Sequence, residues 1–220
     1  NANSDFYKFD EASYMWINFR SGDGTEINPA FESNFTVGRG YLVAYPVDVT
    51  KTFSGVLNSG TLATGTGLPA LTNAGSTDPG WNLIGNPYPS AIDWDNVVVS
   101  QYSDLENAVY VYDNATSTYY SYVDGVGSLT DGIIPAMQGF FVHADGPAPA
   151  LTLENADRVH SGTSQYKKSV TENLVHLKIT GNNRGDETFI RFTDQATSGF
   201  DRSYDAYKLT GGSAVPTFYT

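Results

Sequence analysis

The chain has 220 residues, a formal charge of −12 and no cysteine. The missing thiols exclude disulfides, thiolate metal sites and cysteine nucleophiles. The acidic balance, with no basic stripe to neutralise phosphates, argues against nucleic acid and would repel anionic membrane surfaces. No apolar run approaches the roughly 20 residues a membrane-spanning helix needs, so no membrane insertion is expected. Aromatic residues make up 14% and charged residues only 16%, and Tyr, Thr, Ser, Asn and Gly dominate, a profile often found in secreted bacterial β-proteins and adhesins but shared by other β-rich domains. The length suits one large β-domain or two small ones with a real core. The chain starts without Met or a leader and reads as a piece of a longer protein.

Taken in chain order, almost every element is a strand. Residues 13–19 alternate large and polar side chains, as do 52–57, 109–112 and 174–180, while 41–45 and 139–143 are strand-length apolar runs. Residues 81–84 read as a buried strand that breaks at Gly85-Asn86-Pro87-Tyr88-Pro89, because two prolines two residues apart forbid continued helix or central strand. Ser90 is then expected to N-cap a helical turn through Val97; further turns are expected near residues 104–107 and 194–198. Residues 151–154 and 188–192 complete the strands. The pattern is all-β, and a jelly-roll-like β-sandwich is the expected way to bury it.

Gly38-Arg39-Gly40-Tyr41-Leu42-Val43-Ala44-Tyr45 echoes Ala136-Met137-Gln138-Gly139-Phe140-Phe141-Val142-His143-Ala144. Each echo follows an aromatic strand and a Gly/Asp-rich loop, and each precedes a short strand. The expected organisation is a duplicated sandwich domain over residues 1–160, with units of about 1–79 and 80–160 sharing one core. Residues 161–173 are polar, basic and breaker-rich and read as a linker. Residues 174–220 supply additional strands or the truncated start of a second β-module.

Three stretches occur in a telling order: Trp81-Asn82-Leu83-Ile84-Gly85-Asn86-Pro87-Tyr88-Pro89-Ser90, then Gln138-Gly139-Phe140-Phe141-Val142, then Phe200-Asp201 through Asp205-Ala206-Tyr207-Lys208-Leu209. Together they resemble the non-catalytic β-modules of large secreted Bacteroidetes proteins, which stand just ahead of a type IX secretion sorting domain. The resemblance covers roughly residues 14–220, and the chain lacks the sorting domain itself. It implies a β-sandwich, a secreted or cell-surface location, and a role in adhesion or polysaccharide use beside neighbouring domains of the parent protein. It supplies no catalytic residues.

The residues themselves offer little for catalysis. His143, His160 and His176 are scattered, and neither a Gly-x-Ser-x-Gly elbow nor a phosphate loop occurs. Carbohydrate binding, to a polysaccharide or cell-surface glycan, rests on aromatics, since a sugar's C–H face stacks on a flat ring while polar side chains fix its hydroxyls. Tyr119, Tyr120 and Tyr122 are the candidates, with Trp16 on the equivalent strand of the first unit. In a strand Tyr120 and Tyr122 share one face and Tyr119 the other, so one face is expected to be solvated. The competing reading spends these rings, like Trp81 and Trp94, on packing in a structural spacer or adhesin segment. Calcium would need clustered oxygen ligands, for which Asp93 with Asp95 and Asp201 with Asp205 are the candidate loops, ahead of Asp23 with Glu26 and Asp124 with Asp131. Asp93 and Asp95 also suit the N-terminus of a helical turn.

Overall fold

The computed structural model describes residues 5–21, 26–31, 34–48, 50–52, 54–75, 77–160, 172–181, 184–212 and 215–219. The expected linker over 161–173 falls largely outside these residues, as does Asp23. The fold is all-β, built from several antiparallel sheets. At its centre lies a five-stranded sheet, in the order Val126–Gly127, Thr118–Val123, Leu105–Asp113, Gly139–Ala144, Trp81–Gly85.

Period-two alternation explains how this sheet buries both faces. Ile84, Val109, Val111, Tyr122, Phe140 and Val142 point inward to the larger core cluster. That cluster is closed by Leu151 and Leu153 from the Ala150–Leu153 strand and by Ile92 and Ile134 from a small sheet of Ile133–Ile134, Ala91–Asp93 and Arg158–Val159. Trp81, Ala108, Tyr110, Val123 and Phe141 point outward to a second cluster. Two segments roof that outer face. Phe9 and Tyr14 come from an N-terminal sheet of Met15–Asn18, Asp5–Asp10 and Leu42–Ala44, and Ala206 and Leu209 from an irregular C-terminal arm.

The arm is fastened along its length. Asn107 N–H donates to Arg202 O at 3.0 Å, Arg202 pairs with Asp145 at 2.9 Å, and Gly212 N–H donates to Ser117 O. A Cβ at Gly211 would lie 2.1 Å from Ser117 O, so glycine is what lets the arm cross that turn. Leu174–Gly181 and Arg184–Arg191 form a separate antiparallel hairpin, tied to the sandwich by Arg191 Nη1 on Asp124 at 2.6 Å.

Several expectations give way here. Ala91–Asp93 is a strand rather than a helical turn, because Ile92 pairs with both Ile134 and Arg158. Only Trp94–Asn96 forms a 3-10 turn, capped by Asp93, while Ser90 Oγ accepts from Arg158 Nε. Residues 104–107 are not a turn of helix either. Asp104 takes a left-handed φ of 50° and the chain enters the Leu105–Asp113 strand. Residues 194–198 form turns and bends without a helix, and 54–57 carry no strand, leaving Val56 and Leu57 exposed. The two echoes occupy different places, Leu42–Ala44 at a sheet edge and Gly139–Ala144 inside the central sheet. Their glycines nevertheless meet beside the same strand: Gly40 N–H donates to Leu83 O, and a Cβ at Gly139 would lie 3.9 Å from Gly40 Cα.

Glu11 pins the N-terminal sheet in place. Its buried carboxylate accepts from the backbone N–H groups of Ala74, Gly75 and Gly80, at 2.9–3.1 Å. Gly80 is required there, since with φ +94° a Cβ would meet Ala144 O at 2.2 Å. Burial alone would raise the Glu11 pKa, but the donors at Gly80, Gly75, Thr72 and Ala74 together hold it below the ordinary carboxylate value. Glu11→Ala strands three N–H donors and is expected to cost about 3 kcal/mol, read as a lower urea midpoint with unchanged slope. The wild-type contribution is present above the unfolded carboxylate pKa of about 4.3 and lost as pH falls through the depressed folded value. An unchanged midpoint would mean other contacts hold the loop.

Candidate functional site

The rigid corner after Trp81–Gly85 proves to be a hub of internal contacts. Asn86 Nδ2 donates to the carbonyls of Ser90, Ile134 and Pro135 at 2.9, 3.1 and 3.0 Å, and its Oδ1 accepts from Tyr88 N–H at 3.0 Å. The Tyr88 hydroxyl lies 2.7 Å from Gly60 O and 2.9 Å from Leu153 O, with the Arg158 guanidinium 5.1 Å over its ring. Burial, then the nearby Asp157 charge, pushes that phenol up to about 12. Trp94 Nε1 donates to Asn107 O at 3.1 Å. All the polar groups of this corner named here are spent on holding neighbouring segments, and Trp81, Tyr88 and Trp94 are buried.

Of the four candidate rings, two are brought to one surface. Trp16 is 36% exposed and sits edge-on to Phe141 at 6.2 Å; Tyr119 approaches the same Phe141 at 6.0 Å and continues to Tyr112 at 5.1 Å. Tyr120 and Tyr122 point to the opposite, inner face, as strand geometry requires. The expected solvated face of this strand is corrected, because the inner face packs on the main core and the outer face lies beneath the N-terminal sheet and the C-terminal arm. Tyr122 is only 4% exposed and its hydroxyl donates to Asp95 at 2.6 Å, which leaves no ring face for a ligand. Burial first, then Asp95, raises its pKa.

Tyr119 and Tyr120 instead line a groove of about 440 Å³ between the tyrosine strand and the C-terminal hairpin. Thr116, Thr118 and Ser128 add hydroxyls from one wall, and Thr180, Lys178, Arg184, Asp186 and Glu187 form the other. The sequence positions the first wall through a tight turn. Asp113 accepts from Thr116 N–H at 2.9 Å and from its hydroxyl, Ser117 adopts φ 59°, and Tyr120 OH donates to the same carboxylate at 3.3 Å. The Thr116 hydroxyl bond is the main reason the Asp113 pKa is lowered. Burial, then the neighbouring Tyr112 and Tyr14, pushes the Tyr119 phenol up to about 12, so it remains a neutral donor and acceptor at physiological pH. On the second wall Asp186 is ion-paired with Lys208, and Glu187 is hydrogen-bonded to His176 Nε2 at 2.8 Å. Flat rings, hydroxyls and a few charges in one concavity can grip a polyhydroxylated ligand. The hairpin wall carried no sequence signal, because only tertiary packing brings it to the tyrosines.

The candidate calcium ligands use their oxygens locally. Asp93 Oδ1 accepts from Asp95 N–H at 3.1 Å, and Asp95 Oδ2 holds Tyr122. Asp201 Oδ1 caps Ser203 N–H at 3.1 Å, and Asp205 Oδ2 accepts from Asp201 N–H at 2.7 Å. Asp124 serves Arg191. Burial, then Asp95 and Asp131, raises the Asp93 pKa despite the Asp95 N–H, which lowers it. Among the described residues no three His, Asp or Glu gather in a way that could hold a metal ion.

Fold and groove together define an all-β module with a polar, tyrosine-lined cleft between its central sheet and a C-terminal hairpin. The chain belongs to the family described as Domain of unknown function (DUF8693), whose model matches residues 1–220. No curated protein and no solved structure matches it.

Proposed function

We propose that this chain is a non-catalytic extracellular module that binds carbohydrate and serves a larger secreted enzyme or adhesin. The observation that carries the reading is the groove holding Tyr119 and Tyr120 with Thr116, Thr118 and Ser128. Its volume falls in the range of about 300–1,000 Å³ usual for ligand clefts. Trp16, on the far side of Phe141, would extend the platform for a longer polysaccharide. Of the acids in the groove, Asp186 is ion-paired with Lys208 and Glu187 with Lys178 at 3.9 Å, which suits binding better than proton transfer. The secreted Bacteroidetes setting is supported by the ordered motif set alone. The relation of two units, within the jelly-roll-like sandwich we propose, is supported by the meeting of Gly40 and Gly139 against Leu83 and Ile84.

Affinity electrophoresis against a polysaccharide panel tests the function. Tyr120→Ala is expected to weaken retardation at least tenfold, and Trp16→Ala several-fold on long polymers only. If no polysaccharide retards the protein, or if Tyr120→Ala leaves retardation unchanged, the groove reading is wrong. A second reading, a structural spacer or adhesin segment, is favoured by the burial of Tyr122 and by the edge-to-face packing of the buried Trp81 and Trp94. It becomes the better one if the panel is silent.

A further inference from the structure

We propose that the groove selects an acidic sugar, a unit carrying a uronate-type carboxylate, which Arg184 and Lys178 hold while Tyr120 contacts its ring. The proposal rests on the carbohydrate reading and names its ligand class. Charge distribution on the hairpin wall carries it. Asp186 is neutralised by Lys208, and Glu187 is taken by His176 at 2.8 Å. Lys178 Nζ forms a long ion pair with Glu187 at 3.9 Å, and its side chain is 60% exposed. Arg184 makes no ion pair with any described residue and lines the groove directly. The wall therefore presents Arg184, which has no ion pair among the described residues, beside the loosely paired Lys178, on a protein of net charge −12.

A guanidinium offers a planar fork that matches a carboxylate in two parallel hydrogen bonds. The Tyr120 ring opposite supplies apolar surface for a pyranose C–H face. The overall negative charge repels a polyanion only within a screening length of about 8 Å at physiological salt, and about 30 Å at 0.01 M. Local attraction and global repulsion thus respond differently to salt. Retention of an acidic glycan should peak at intermediate ionic strength, falling at low salt from whole-molecule repulsion and at high salt from screening of Arg184 and Lys178.

The test compares polygalacturonate with its fully methyl-esterified form, which keeps the backbone and removes the charge, alongside neutral glucan, galactan and mannan. The expected result is at least tenfold tighter binding of the acid form, lost in Arg184→Gln and reduced in Lys178→Gln. Circular dichroism melts confirm that both variants are folded. Equal binding of acid and ester, or binding of a neutral glycan alone, overturns the acidic preference and leaves the carbohydrate reading standing. Binding to none of the probes overturns both. Binding of the acid form that survives both substitutions overturns the assigned residues.

Discussion

Asn86→Ala is expected to destabilise the fold by about 3–4 kcal/mol, because one small side chain serves four backbone groups in a buried corner. The stranded Tyr88 N–H is the costliest loss, since an orphaned donor has no second option, whereas the three carbonyls keep a lone pair each for weaker contacts. For a domain near 200 residues this corresponds to a Tm lower by roughly 10 °C. Asn86→Asp sharpens the prediction. The aspartate can still accept from Tyr88, but it aims a charged oxygen at the carbonyls of Ser90, Ile134 and Pro135. It should therefore be worse than alanine at neutral pH and recover partly in acid, when a protonated carboxyl can donate again. An Asp variant that melts like wild type would mean the corner is held by its prolines and Tyr88 rather than by Asn86.

The second large effect lies under the C-terminal arm. His143 Nδ1 sits 2.9 Å from the Glu106 carboxylate and Nε2 3.0 Å from Pro79 O, so both ring nitrogens face acceptors. The ring satisfies both acceptors at once when each of its nitrogens carries a proton. Burial pulls its pKa down, but the Glu106 bond and charge, Pro79 O and the Asp78 charge outweigh burial and leave it raised. The rings of Trp81 at 4.6 Å and Tyr207 at 4.9 Å close over it. His143→Ala leaves Glu106, only 2% exposed, as an unpaired buried charge and is expected to cost about 3–5 kcal/mol.

Because the folded pKa lies above the unfolded value of about 6.5, the stabilisation is fully present below that pH and lost as pH rises through the folded value. Urea midpoints should decline over that alkaline interval in wild type and stay flat in His143→Ala, with Trp81 fluorescence following the same titration. A wild-type midpoint that does not fall there would show that the ring is neutral in the native state.

Strands were legible where one local pattern carried them. The apolar runs at 81–84 and 139–143 and the alternation at 109–112 all lie within strands of the central sheet. Capping chemistry misled at Ser90, because its hydroxyl goes to Arg158, 68 residues away, and Ile92 finds strand partners on both sides. The tyrosine strand showed which residues share a face, yet nothing local announced that segments from residues 9–14 and 206–209 would cover the outer one. Arg184 and Lys178 were invisible as site residues for the same reason. Their distance from Tyr119 is set by where the hairpin docks.

The double roof over the outer face also has a mechanical side. The N-terminal sheet and the C-terminal arm flank the central sheet in sequence as well as in space, so tension drawn along the chain reaches them first. Glu11 is a catch on one flap, and the Arg202–Asp145 pair and the packing of Tyr207 on His143 are catches on the other. Either flap can lift while the inner cluster of Phe140, Val142 and Leu153 stays closed. A chain built this way is expected to yield in small steps under load before its core opens.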